Sequence, residues 1–329
     1  MKKRVLLIAA AVLGVAAARR YWSMRDALAA VPADLRSPVL PFLTMDVTAR
    51  NVWFVRLPFR FGTPAGPGVS VRRHFIDGLR VHVTTPATAP TAGRRPGVLY
   101  LHGGGMISGS PQMEALNSGR LARDLDAVVV APDYRLSPEH PFPAGLDDCM
   151  SALAWMRDEA DTLVIDPDRI AVIGSSAGGG LSAAVAQRAH DEGIALRAQV
   201  LVYPMIDDRT ALRTDHGGRG RFLWTAASNR YAWTAYLGRE PRMSDAPEYA
   251  APARRTNVAG LAPAWIGVGG LDLFHDEAVA YAGTLTAGGV PCELVTVPGM
   301  YHGADGIAWK DPAILAFRRS SVDHLRAYL

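Results

Sequence analysis

The sequence predicts an α/β chain with a mainly parallel central sheet covered by helices on both faces. Two observations predict it. From residue 71 onward, short apolar runs alternate with helix-length segments, the pattern of repeated strand–helix–strand units. Between two of those segments sits a tight Gly-rich turn, Gly174-Ser-Ser-Ala-Gly178, at the point where a strand should hand over to a helix. Composition agrees: 49% of the 329 residues are hydrophobic and 20% charged, too apolar for a disordered chain and long enough for a large core. The 32 Gly and 23 Pro follow no repeat, which excludes collagen-like and low-complexity readings.

The elements follow in order. Val71–Ile76 and Leu79–Thr85 flank Asp77-Gly78, a two-residue hairpin signal that makes an antiparallel edge. Gly97–Leu101 reads as a buried strand, Gln112–Asp124 as a helix, and Ala127–Ala131 as a second buried strand. A Pro-rich loop leads to a helix over Ala144–Asp158. Strand Arg169–Gly174, a helix of small residues over Gly178–Ala189 and strand Arg197–Tyr203 come next. The series closes with strand Ala264–Val268, helix Asp276–Ala287, strand Cys292–Val297 and a helix over Pro312–Leu329. Residues 19–66 and about 205–250 break the alternation. Both read as parts of a cap over the C-terminal edge of the sheet, where open α/β sheets bind ligands. The second carries Phe222, Trp224, Tyr231, Trp233 and Tyr236, which suit either an apolar pocket or the core. Residues 67–329 form the expected main domain.

The net charge of +4 is unevenly placed. Residues 1–25 hold six bases and no acid, so the remainder is net −2. Lys2-Lys3-Arg4 followed by an unbroken apolar or Gly run over residues 5–18 reads as a signal peptide or a membrane anchor. Ala16-Ala17-Ala18 suits cleavage, whereas Arg19-Arg20 suits an uncleaved anchor. The expectation is an exported or membrane-tethered protein. With the basic character confined there, and with no motif for it, nucleic-acid binding is not expected. Two cysteines, Cys149 and Cys292, cannot build a zinc site, and no His pair has metal-ligand spacing. They read as free thiols, with a disulfide between them left open.

Three motifs carry chemistry. In Gly174–Gly178 a serine on a sharp strand-to-helix turn would project its hydroxyl above the sheet, making Ser176 the candidate nucleophile ahead of Ser175 and Ser182. His102-Gly103-Gly104-Gly105 ends the first buried strand. Consecutive glycines let backbone N–H groups approach a developing oxyanion, and Ala177, following the serine, would add another. Downstream, Asp272 and His302 each follow a strand, in the order acid then base. His302 would take and return the serine proton, and Asp272 would hold the imidazole tautomer. His275, Asp276 and Glu277 compete for these roles but read better as the start of a helix.

These residues resemble the hormone-sensitive-lipase-like branch of the α/β-hydrolases, the bacterial family IV esterases, from about residue 70 to the C-terminus. The most specific stretch is Asp133-Tyr-Arg-Leu-Ser-Pro-Glu-His-Pro-Phe-Pro-Ala144, with His102–Gly105 upstream and Gly174–Gly179 downstream. The resemblance implies the α/β-hydrolase fold, a triad of Ser176, Asp272 and His302, and an oxyanion hole at Gly104, Gly105 and Ala177. It makes His102 and the Glu139/His140 region structural. It further implies a serine carboxylesterase of short- to medium-chain acyl esters, needing no metal or organic cofactor, with an amidase or deacetylase on the same triad as the alternative. One departure stands out: Ser175 replaces the Asp common in the family before the nucleophile.

Overall fold

The computed structural model describes residues 14–91 and 93–329. Eight strands form one sheet in the order β1-β2-β4-β3-β5-β6-β7-β8. They are β1 (Val69–Ile76), β2 (Leu79–Pro86), β3 (Arg95–Leu101), β4 (Val128–Pro132), β5 (Ile165–Ser175), β6 (Gln199–Val202), β7 (Ala264–Gly269) and β8 (Cys292–Val297). Strands β3 to β8 pair in parallel, while β2 runs antiparallel to both β1 and β4. The hairpin between β1 and β2 turns on Asp77 and Gly78, both at positive φ, and pairs Ile76 with Leu79.

Helices cover both faces: α1 (Ala115–Leu125), α2 (Ala144–Asp158), α3 (Ala177–Asp191), α4 (Ala226–Leu237), α5 (His275–Ala287) and α6 (Pro312–Tyr328). The alternation of side chains along each strand divides the core in two. Leu99, Leu101, Val128, Val130 and Val172 pack with Leu153 of α2 and Leu181 of α3. Val98, Tyr100, Val129 and Ala171 point the other way, against Leu121 of α1, Leu285 of α5 and Phe317 of α6. All seven residues of β3 are buried, as a strand covered on both faces requires.

Observed and expected elements differ mainly at their ends. Strand β5 begins at Ile165, four residues before the expected start. Its early part, Asp166-Pro167-Asp168-Arg169, is polar and gives no apolar signal, yet Ile165 pairs with Arg95. Strand β6 is shorter than expected, because Tyr203 takes a φ of 36° and Pro204 follows. Helix α1 starts at Ala115, after a turn that contains Pro111.

The two irregular stretches meet. The backbone N–H of Val47 donates to Ser228 Oγ at 2.9 Å, that of Leu223 donates to Thr44 Oγ1 at 3.1 Å, and the Thr225 hydroxyl donates to Asp46 at 2.6 Å. Arg56 then ties the N-terminal stretch to the body. Its guanidinium donates to the carbonyls of Ile107 and Ser137, both at 2.7 Å, and forks onto the Glu139 carboxylate at 2.7 and 2.8 Å. That hydrogen-bonded pairing holds the Glu139 carboxyl at about 2.

Of the apolar N-terminal run, residues 1–13 lie outside the described residues. Residues 14–23 are helical and mostly exposed, and no helix among the described residues is long and apolar enough to cross a membrane. Both thiols are free, Cys149 buried in α2 and Cys292 half-buried at the start of β8.

Backbone packs tightly against backbone where β3, β5 and α3 converge. A Cβ added at Gly178 would fall 2.0 Å from the Leu101 carbonyl oxygen, so strand and helix approach as near as backbone allows. Gly178→Ala should therefore lower the thermal midpoint by about 1–4 °C, since overpacking typically costs about 1–3 kcal/mol and a chain of this length has a large unfolding entropy. Differential scanning calorimetry checks this; an unchanged midpoint would show that the contact can relax.

Candidate active site

Strand β5 delivers Ser176 to a turn with φ 57° and ψ −120°, and α3 starts at the next residue. The left-handed φ costs energy for a side chain with a Cβ and is sustained only where surroundings fix it. Gly174 supplies that fit, because a Cβ there would meet the Gly178 carbonyl oxygen at 2.2 Å. Ser182, a weaker nucleophile candidate, is instead buried one turn into α3, donating its hydroxyl to that same Gly178 carbonyl at 2.7 Å. Ser175 lines the cavity beside Ser176.

The structure brings Ser176, His302 and Asp272 together. His302 Nε2 lies 2.9 Å from Ser176 Oγ, and His302 Nδ1 lies 2.9 Å from Asp272 Oδ2. Asp272 is fully buried, and its Oδ1 accepts the Phe274 N–H at 2.9 Å, which fixes the carboxylate plane. An acceptor at Nδ1 favours the tautomer with its proton there, leaving Nε2 free to accept from the serine. Aromatic rings hold the imidazole: Tyr203 and Phe274 meet it edge-on, with ring centres 4.8 and 5.2 Å away.

The Gly-rich loop after β3 faces the serine. Gly104 has a φ of 122°, and a Cβ there would strike the Ser108 carbonyl at 2.1 Å, so only glycine fits. Among the described residues no acceptor takes the N–H groups of Gly104, Gly105 or Ala177. Ala177 also opens α3, whose first N–H groups have no partner within the helix and whose dipole favours negative charge there. Arg56 holds this loop through Ile107, a role invisible in the sequence because Arg56 lies in an irregular stretch without a motif.

His102 is buried behind the loop. Its ring stacks on Tyr134 at 4.0 Å, its Nδ1 lies 2.8 Å from the Gly103 carbonyl, and the Tyr134 hydroxyl donates to the His102 carbonyl at 2.8 Å. Burial pushes this imidazole down to about 4, so it is neutral at pH 7 and supports the loop as a packed ring.

The competing residues lie elsewhere. His275 and Asp276 pair with each other at 3.0 Å in the first turn of α5, where Asp276 also meets Arg213 and Arg219. Glu277 is buried and accepts the N–H groups of Ile206 and Asp207 at 2.8 and 3.2 Å, with the Thr210 hydroxyl on its other oxygen. Burial raises its carboxyl well above the usual range. No group of three or more His, Cys, Asp or Glu side chains suited to a metal occurs among the described residues.

Ser176 and His302 open onto a cavity of about 1250 Å³. One part is apolar, with Leu43, Met45, Val47, Val55 and Phe59 from the N-terminal stretch and Trp224 from the insertion. Trp224 rests on Gly105, where an added Cβ would meet its ring at 2.2 Å. Among the other insertion aromatics, Phe222, Trp233 and Tyr236 are buried in the core.

Comparison with known proteins bears on the fold and the family. The family described as having the α/β hydrolase fold matches residues 98–305. The chain is 34% identical to Esterase LipI of Mycobacterium tuberculosis over 272 residues, spanning 81% of this chain and 84% of that one. It is 38% identical to Carboxylesterase NlhH of the same species over 66% of this chain and 69% of that one. Among solved structures, Bacterial Heroin Esterase superposes with a TM-score of 0.83 at 30% identity, covering 92% of this chain and 99% of its own.

The buried neutral His102 links stability to pH. Its folded pKa of about 4 lies below the unfolded value near 6.5, so the unfolded state binds more protons between those values. The stabilisation is present above about pH 6.5 and is lost as pH falls through about 4, amounting to roughly 3 kcal/mol. Urea unfolding at pH 7 and at pH 4.5 should show a loss for the native chain that is visibly smaller in His102→Asn. Equal losses would remove His102 as the cause.

Proposed function

The chain belongs to the α/β-hydrolases, in their hormone-sensitive-lipase-like branch, and from that premise we propose that it is a serine carboxylesterase acting through Ser176, His302 and Asp272. The observation that carries this reading is the unbroken hydrogen-bonded line from the Asp272 carboxylate through His302 to Ser176 Oγ, at 2.9 Å in each step. The unpartnered N–H groups of Gly104, Gly105 and Ala177 beside it support the same reading.

In this mechanism the Ser176 oxygen attacks the ester carbonyl carbon while His302 Nε2 takes the serine proton. The carbonyl oxygen becomes an oxyanion, stabilised by the N–H groups of Gly104, Gly105 and Ala177. Collapse breaks the bond to the alcohol oxygen, which receives the proton from His302, and leaves the acyl group on Ser176. Water then repeats the sequence, giving its proton to His302 and releasing the carboxylic acid. Asp272 steadies the imidazolium that forms in each half. No step calls for a metal or an organic cofactor. The apolar lining from Leu43, Met45, Val47, Val55, Phe59 and Trp224 supports acyl chains of short to medium length.

We also propose that residues 5–18 direct export or tether the chain to a membrane. The basic residues before that run support this, as do the exposed Trp22, Phe42, Trp53, Phe54 and Phe61 of the N-terminal stretch. Intact mass of the native protein from membrane and soluble fractions tests it. A mass lacking about 18 residues, or a full-length chain in the membrane fraction, is expected; a full-length chain in the soluble cytosol overturns it.

Ser176→Ala should cut turnover on p-nitrophenyl butyrate by about four orders of magnitude or more with the fold intact, the scale of a lost nucleophile. A fluorophosphonate should label Ser176 in the native chain only. Near-native turnover in the variant would sink the assignment.

A further inference from the structure

The cavity beside Ser176 has a second, polar part that the mechanism does not use. Its lining brings together Tyr100, Glu114, Tyr203, Asp305 and Arg318, with His302 and Gly303 in the same cavity. Glu114 is only 7% exposed, yet both of its assigned hydrogen bonds fall on one oxygen. Oε2 accepts from the Tyr100 hydroxyl at 3.0 Å and from Asn117 Nδ2 at 2.8 Å. Oε1 has no partner among the described residues, and the residue lines the cavity. Burial raises the Glu114 carboxyl above the ordinary carboxyl range. In the same lining, the Tyr203 hydroxyl donates to Asp305 Oδ1 at 2.8 Å, and Arg318 donates to the Asp305 carbonyl at 2.6 Å.

Which half of an ester would enter this part follows from the proton path. His302 Nε2 delivers its proton to the leaving oxygen, so the alcohol must lie on the histidine side of the serine. Tyr203 meets the His302 ring edge-on, and Gly303 and Asp305 continue directly from His302, so the polar part starts on that side. An alkyl alcohol there would strip water from Glu114 and Arg318 and return no hydrogen bond. A hydroxylated alcohol would replace that water with its own hydroxyls, donating to Glu114 Oε1 and accepting from the guanidinium.

We infer that the polar part of the cavity is the leaving-alcohol subsite, and that the preferred substrates are esters of short polyols, with an apolar acyl group in the opposite part. The inference rests on the serine-esterase reading above.

The test compares 1-monobutyrin with propyl butyrate, which share the acyl group and a three-carbon alcohol and differ in two hydroxyls. p-Nitrophenyl butyrate is the third ester, and fluorophosphonate labelling of Ser176 reports the triad separately. The native chain should favour monobutyrin over propyl butyrate by about tenfold or more in kcat/KM, because a site built to bond hydroxyls rejects an analogue without them. Glu114→Leu should erase that preference, mainly through a higher KM for monobutyrin, while a fluorophosphonate still labels Ser176 as in the native chain. Asn117→Leu, which releases the carboxylate without emptying its place, should reduce the preference and serves if Glu114→Leu does not fold. Equal rates on the two butyrates in the native chain, or equal losses on all three esters in the folded variants, would overturn the inference and leave the esterase standing. Failure of the native chain to cleave any of the three would overturn the esterase reading itself.

Discussion

The conformation of Ser176 is the constraint on which the rest of this molecule depends. A left-handed residue between a strand and a helix is a local expense, and here it is sustained by contacts that involve three elements at once. The Gly174–Gly178 contact closes the turn, and Gly178 in turn lies against the end of β3. Because β3 ends there, the loop from His102 to Gly105 leaves the sheet beside the serine and not elsewhere. The same turn sets Ala177 at the start of α3, so one piece of backbone geometry places the Ser176 hydroxyl and the Ala177 N–H together.

Asp272 and His302 reach that point by a different route. Strands β7 and β8 lie in parallel next to β6, so the loops that follow them emerge at the same rim as the loop after β5. Asp272 sits three residues after the end of β7 and His302 five after the end of β8. Parallel order therefore converts a separation of 126 residues into a 2.9 Å contact. Aromatic packing completes the arrangement. Tyr203 and Phe274 confine the His302 ring, while Arg56 fixes the glycine loop from the side of the N-terminal stretch.

The parts of this arrangement that the sequence made legible are those with a local signature. Apolar runs marked the strands, and the sharp turn demanded small residues at Gly174, Ala177 and Gly178. Placement after successive strands singled out Asp272 and His302. The helix-start reading of His275, Asp276 and Glu277 agrees with α5, which begins there. What stayed hidden depends on tertiary contact alone. Polar residues 166–169 extend β5 because Ile165 finds Arg95 across the sheet, and nothing in their own pattern says so. The insertion aromatics could not be sorted into core and cavity, since Trp233 and Trp224 differ only in which neighbours they meet: the first is wholly buried, the second lies over Gly105. Arg56 and Glu114 carry no motif, and their importance comes from partners 83 and 14 residues away.

Ser175 joins these threads. The family commonly has an aspartate at this place, and the change leaves the Gly-Ser-Ser-Ala-Gly turn intact because the side chain at 175 lies outside the contacts that shape it. It lines the cavity next to Ser176, together with Gly103 and Tyr203. A carboxylate there would add a negative charge to the cavity lining next to Ser176. A serine hydroxyl is smaller, neutral and able both to donate and to accept. The junction beside the nucleophile is thus left polar without being charged. The departure from the family pattern therefore lies in the cavity lining itself, next to Ser176.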